Sequence, residues 1–236
     1  MVTKNYILVP GAWHGGWCYA RVAERLRARG HRVFTPTLTG VGERSHLCTQ
    51  ATNCSTHVED ILAVMRWEEL DDVILCGHSY AGMVISGVTQ AAPERVQALV
   101  YLDAVVPKGG KSFFELMLSP DQIAYFLSLA AEQGGGYRLP PLPAEALDVN
   151  PIDRALVDRM CTMHPLASLN ERIKVADHPS GIRRSYIHAS GWRGSLYRDV
   201  YERVRAEPGW STHTLACGHD IMLDAPDETA QLMLDA

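Results

Sequence analysis

The stretch Leu75 to Val84 reads LCGHSYAGMV, a GxSx(G/A) string centred on Ser79. At ordinary glycine and serine usage such a string arises by chance often enough that alone it decides nothing. Its surroundings decide, because a nucleophile elbow needs a strand before the serine and a helix directly after it. Asp72 to Cys76, DVILC, is a short unalternated β-branched run, the pattern of a strand buried on both faces, and a helical run begins at Ala81. In such an elbow the residues two before and two after the nucleophile crowd each other and must be small. Gly77 and Ala81 meet that condition, and Gly82 keeps the start of the helix slim.

Working outward, runs of the same kind recur at Tyr6 to Pro10, Arg32 to Pro36, Ala98 to Asp103, Arg184 to Ala189 and Ser211 to Ala216. Helical patterns separate them: Cys18 to Arg29, ended by Gly30; Thr56 to Trp67, with Ser55 available to cap; and Ala81 to Ala92. This alternation predicts an α/β fold with a six-stranded, mainly parallel sheet flanked by helices. Residues 105–182 break the rhythm with FFELML, QIAYFLSLA, the turn-rich EQGGGYRLPPLP and a helical piece around Ile152 to Met160. They read as a mostly helical cap inserted into a core of residues 1–104 and 183–236, roofing the C-terminal edge of the sheet where ligands bind in open α/β folds.

Composition narrows the function classes. A chain of 236 residues, 47% hydrophobic and 21% charged, suits one well-buried domain with an insertion. The net charge of -5 is spread out, with no basic block to track a phosphate backbone, so nucleic acid is not an expected partner. Cysteines at 18, 48, 54, 76, 161 and 217 form no CxxC and no dense spacing, which points to free thiols in a reducing cytosol rather than a metal site or disulfide framework. No apolar run is long enough for a signal-peptide core or a bilayer span, so a cytoplasmic location without a membrane partner is expected. Oligomeric state is not legible.

The chemistry requires more than a serine. A tetrahedral oxyanion needs two N–H donors, one from the residue after the nucleophile and one from the loop after the first strand. Tyr80 supplies the first, and Ala12, within the glycine-rich PGAWHGGW of Pro10 to Trp17, the second. Neither GxGxxG nor GxxxxGK[ST] is present, so that loop is not read as a nucleotide cradle. Among ten histidines His219 is the expected base, because it follows the last strand in LACGHDIM and keeps the order serine, acid, histidine. His31, His57 and His178 read as bland, while His14 and His78 flank the site and shape it. For the acid, Asp103 ends the strand beside that of the nucleophile and is favoured over Asp199, which stands far along a loop. Trp13, Phe113, Phe114, Met117, Tyr125 and Phe126 are candidates for a small apolar substrate pocket.

Taken together, LVPGAWHGGWCY, TPTLTGVGERSHL, GHSYAGMV, VYLDAVVP and GHDIMLDAPDE resemble the α/β-hydrolase superfamily. The nearest branch holds plant salicylate-ester and hydroxynitrile-lyase-like proteins and bacterial esterases of the pyrethroid-, carbamate- and carbendazim-hydrolysing kind. The resemblance covers the core and is weak across the cap. It implies Ser79 as nucleophile, His219 as base and the N–H groups of Ala12 and Tyr80 as oxyanion hole, with no metal or cofactor. Two departures stand out: Pro10 where many members carry histidine, and no acid just after the penultimate strand. An acid at Asp103 resembles the haloalkane dehalogenase arrangement, whose Asp nucleophile Ser79 excludes. The lyases of this branch place a threonine at the position of Gly11 and a lysine at that of Asp220; a carboxylate there would not stabilise cyanide. The expectation is therefore a serine hydrolase acting on a small ester or carbamate through an acyl- or carbamoyl-enzyme. The alternatives are a non-catalytic small-molecule receptor on the same fold and, less favoured, a hydroxynitrile lyase.

Overall fold

The central runs become strands because their side chains bury on both faces of one sheet, while the two outer strands, Arg32–Phe34 and Trp210–Leu215, are only partly covered. In the computed structural model, which describes residues 2–175 and 181–236, the first four strands are β1 (Asn5–Val9), β2 (Arg32–Phe34), β3 (Val73–His78) and β4 (Val96–Leu102). A small antiparallel ribbon, β5 (Arg138–Leu139) and β6 (His164–Pro165), precedes β7 (Arg183–Ala189) and β8 (Trp210–Leu215). The main sheet has six strands in the order β2-β1-β3-β4-β7-β8, and every pair in it is parallel. His178 lies outside the described residues.

The helices are α1 (Ala20–Ala28), α2 (Cys54–Trp67), α3 (Ala81–Ala91), α4 (Phe113–Met117), α5 (Pro120–Gln133), α6 (Arg154–Met160), α7 (Leu166–Asn170), α8 (Arg198–Ala206), α9 (Ile221–Asp224) and α10 (Pro226–Asp235). Two local expectations shift. The first crossover starts as a 3-10 turn at Gly16–Tyr19 before α1. And α2 begins earlier than expected because Asn53, not Ser55, caps it: Asn53 Oδ1 accepts from Thr56 N at 2.9 Å while Thr56 Oγ1 accepts from Asn53 N at 3.3 Å, a capping box. Ser55 turns instead to the carboxylate of Glu171.

Register then positions the site. Val9 pairs with Gly77, His78 with Leu102, and Leu102 with Ile187, so β1, β3, β4 and β7 end level with one another. The loop opening at Pro10, the elbow at Ser79, Asp103 and the end of β7 therefore meet at one edge, the C-terminal edge of a parallel sheet. Between β4 and β7 the chain leaves the sheet for α4 to α7 and the ribbon. Serines start two of those helices, Ser112 and Ser119 each forming a capping box with the residue three on.

Candidate active site

Ser79 sits between β3 and α3 with φ +55°, in the left-handed region that costs a non-glycine residue about 1–3 kcal/mol. The surrounding backbone holds it there. Its N–H donates to Leu102 O at 3.1 Å, and its carbonyl accepts from Gly82 N and Val105 N, both at 3.2 Å. The small residues are obligatory: a Cβ on Gly77 would stand 2.7 Å from Ala81 O, and one on Gly82 only 1.9 Å from Val105 O. Trp13 (φ +67°) and Asp103 (φ +38°) share the left-handed region, so strain collects at this edge.

The carboxylate of Asp103, wholly buried, is bound on both oxygens. Oδ2 accepts from His219 Nδ1 at 2.8 Å; Oδ1 accepts from His188 Nδ1 at 2.8 Å and from Ala189 N at 3.2 Å. Burial alone would raise its pKa, but the hydrogen bonds from His188 and His219 outweigh that and lower it. With its proton on Nδ1, His219 presents Nε2 as an acceptor. Asp199 is an exposed residue in the first turn of α8. Ser79 Oγ, for its part, hydrogen-bonds the hydroxyl of Tyr197 at 3.0 Å. The Tyr197 ring lies nearly parallel to His219, centroids 5.3 Å apart, and Trp192 crowds the same imidazole at 4.2 Å.

Ala12 and Tyr80 are buried, and among the described residues neither backbone N–H has an acceptor within the protein. Buried N–H groups rarely stay unpaired, so both are free to meet an acceptor that enters the site. Behind them lies a buried histidine network whose geometry fixes the protons. His57 donates Nε2–H to Thr39 O at 2.9 Å and accepts from the Tyr80 hydroxyl at 3.0 Å. His164 accepts from Trp13 N at 3.2 Å and so donates Nε2–H to Ser168 Oγ at 2.8 Å. His78 Nε2 donates to the carbonyl of His219 at 3.0 Å. Burial keeps all three neutral, pushing His57 down to about 4, His78 to about 3 and His164 well below the ordinary value.

His14 differs, because both its nitrogens face acceptors: Nδ1 the carbonyl of Ala12 at 2.9 Å, Nε2 the carboxylate of Asp220 at 3.0 Å. Both must carry protons, which makes His14 an imidazolium. Burial opposes that charge, but Asp220, with Cys161 beside it, outweighs burial and holds His14 well above the usual value. The Asp220 carboxylate is likewise held low against burial by the charge and hydrogen bond of His14. The charge of Asp220 turns inward to the loop that carries Ala12, away from the wall of the cavity above Ser79.

A narrow cavity of about 50 Å³ opens above Ser79, with Ala12, Trp13, Phe113, Phe114, Phe126, Leu139, Leu142, Trp192, Tyr197 and His219 in its wall. Met117 and Tyr125 are not in that wall. Consecutive residues on a helix point about 100° apart, so Phe126 turning inward leaves Tyr125 on the outer face of α5, 59% exposed. Met117 ends α4 and packs partly buried against the core. Sequence reading missed Tyr197, His188, Trp192 and His164. Of these His188 alone left a signal, since it is the last residue but one of the strand RSYIHA beside the strand of Asp103.

The profile of the alpha/beta hydrolase family matches residues 6–232, and the chain belongs to that family as a hydrolase with esterase relatives. Over 235 residues it is 43% identical to the carbendazim hydrolyzing esterase of Nocardioides sp. strain SG-4G, a match covering 96% of this chain and 97% of that protein. A pyrethroid hydrolase of Sphingobium wenxiniae is 40% identical over 113 residues, 47% of this chain and 39% of that protein. Among solved structures, an extracellular alpha/beta-hydrolase from a Paenibacillus species superposes with a TM-score of 0.84 at 20% identity, covering 99% of this chain and 98% of that one, which establishes the fold. No helix among the described residues is long and apolar enough to cross a membrane.

Proposed function

We propose that the protein is a serine esterase that cleaves small, uncharged, apolar or aromatic carboxylic esters or carbamates. The observation that carries this reading is Ser79 on a strained elbow, in a cavity it shares with a His219 whose Nδ1 is anchored on Asp103 at 2.8 Å. His219 Nε2 takes the Ser79 proton as Oγ bonds to the substrate carbonyl, and the N–H groups of Ala12 and Tyr80 receive the oxyanion. The alcohol or amine leaves with the proton from His219, and water resolves the acyl- or carbamoyl-enzyme by the same steps. These groups carry the reaction without a metal or cofactor.

The wall of the cavity supports an apolar substrate, since carbon-rich side chains surround Ser79 and His219. The names of the two relatives support ester or carbamate cleavage. At about 50 Å³ the cavity holds a few water molecules, so an aryl ester enters as the side chains of α4 and α5 give way. On this reading residues 105–182 act as a cap over the core. The six cysteines, all free, support a cytoplasmic location. A side chain at Gly11 would meet His78 Nδ1 at 2.7 Å and Ser79 Cβ at 2.9 Å, which argues against the threonine that the lyase alternative requires.

The test is intact mass and p-nitrophenyl acetate turnover after a serine-directed fluorophosphonate, with Ser79→Ala alongside. A single adduct that abolishes turnover and is missing from Ser79→Ala is expected. Folded protein with neither adduct nor turnover would remove the esterase reading and favour a ligand-binding role.

A further inference from the structure

We propose that Tyr197 is a further catalytic residue, a hydrogen-bond donor to Ser79 Oγ that speeds release of the acyl group from the serine; the proposal rests on the esterase reading above. The Tyr197 hydroxyl lies 3.0 Å from Ser79 Oγ, its hydrogen-bond partner among the described residues, and shares the cavity with it. The ring is buried and stacked on His219, with planes 7° apart, so the phenol is aimed at the nucleophile by the face of the base itself. Its backbone is fixed as well. Tyr197 N donates to Ser195 Oγ at 3.2 Å, and its carbonyl accepts from Tyr201 N at 2.9 Å as α8 begins.

The direction of the bond follows from the protons around it. His219 spends its Nδ1 proton on Asp103, which leaves Nε2 to receive the serine proton. When Ser79 Oγ gives its proton to that base it has none to offer Tyr197, so in the reaction it accepts from Tyr197, the phenol being the stronger acid of the two hydroxyls. Burial raises the Tyr197 pKa further above its ordinary value, so the phenol keeps its own proton at every step.

In deacylation a water oxygen bonds to the acyl carbon and gives a proton to His219. The bond from the acyl carbon to Oγ then breaks with its electron pair on Oγ, and His219 returns the proton there. An oxygen gaining charge is a far better acceptor than the same oxygen in an ester. The Tyr197 bond therefore weakens when the acyl-enzyme forms and strengthens as Oγ departs, so it favours free serine over acyl-serine.

Tyr197→Phe keeps the ring and its stack and removes only the hydroxyl. Stopped-flow with p-nitrophenyl acetate should then show a burst approaching one equivalent. kcat should fall by about tenfold, the scale of one hydrogen bond to a charged oxygen, with KM falling in step so that kcat/KM is nearly unchanged. Intact mass should show an acetyl adduct absent from Ser79→Ala, and thermal melting should match the wild type. Unchanged kcat, or equal losses in kcat and kcat/KM with neither burst nor adduct, would overturn the proposal. Wild-type protein that neither turns over nor labels at Ser79 would show instead that the esterase reading itself fails, and the role of Tyr197 with it.

Discussion

Asp103→Asn is the substitution whose outcome the hydrogen bonds specify most closely. The two oxygens of Asp103 are not equivalent: Oδ1 receives two donors, His188 Nδ1 and Ala189 N, whereas Oδ2 receives one, His219 Nδ1. An asparagine keeps one oxygen and gains an NH2 group. Setting its oxygen at the Oδ1 position preserves two bonds, so the amide turns its NH2 toward His219. Two donors then face each other, and His219 relieves the clash by moving its proton from Nδ1 to Nε2. In that tautomer it cannot accept the serine proton. The loss expected from a wrong-tautomer base with the geometry intact is about 10⁴ in kcat, close to 5–6 kcal/mol. Burst and steady-state kinetics with p-nitrophenyl acetate measure it, with Asp199→Asn as an exposed control expected to stay within twofold of wild type. A near-wild-type kcat for Asp103→Asn would refute the reasoning, as would a large loss in the Asp199 variant.

Stability should fall steeply in mild acid. His57, His78 and His164 are held below the ordinary histidine value, so their contribution is complete above pH about 6.5 and is lost as the pH drops and the unfolded chain takes up protons the folded one refuses. Three such groups give a slope of about 4 kcal/mol per pH unit between pH 6 and 5, readable by urea titration; a flat profile would mean these rings are protonated in the fold. His14 acts in the opposite sense, its raised pKa giving stability that is full below pH about 6.5 and declines as the pH rises, so the optimum should lie near pH 6–7. Asp220→Ala leaves a buried imidazolium without its partner and should cost about 3–5 kcal/mol in chemical denaturation, whereas a surface-like loss under 1 kcal/mol would place that pair in solvent. Gly11→Thr pushes a side chain against His78 and Ser79 and should lower kcat about 100-fold with a melting point only modestly reduced; full activity would show that the loop can yield.

Much of the site was legible because its chemistry is written locally. A small-Ser-small turn between a β-branched run and a helical run can be read without knowing the fold, and so can a glycine-rich loop after the first strand and a histidine after the last. The parallel sheet followed from short, unalternated β-branched runs such as DVILC, separated by helical patterns. Asp103 was readable as the neighbour of the nucleophile strand, though only the register of β3, β4 and β7 brings its carboxylate between two histidines.

The rest lay beyond sequence reading because it depends on contacts between distant segments. Tyr197 meets Ser79 across 118 positions, and nothing in SGWRGSLYR says which way that loop folds over the sheet edge. Asp220 follows His219 directly, yet points to His14 on the first loop, since adjacent side chains leave the backbone in different directions. Phe126 and Tyr125 differ by one position and face opposite environments for the same reason. Sequence by itself determined the six strands of the main sheet, the first crossover helices, their chain order and the kinds of group brought to one edge, but not the β5–β6 ribbon or the last three helices. Tertiary structure decided which groups touch, because hydrogen bonds form over about 3 Å and local periodicity fixes no distance between separate segments.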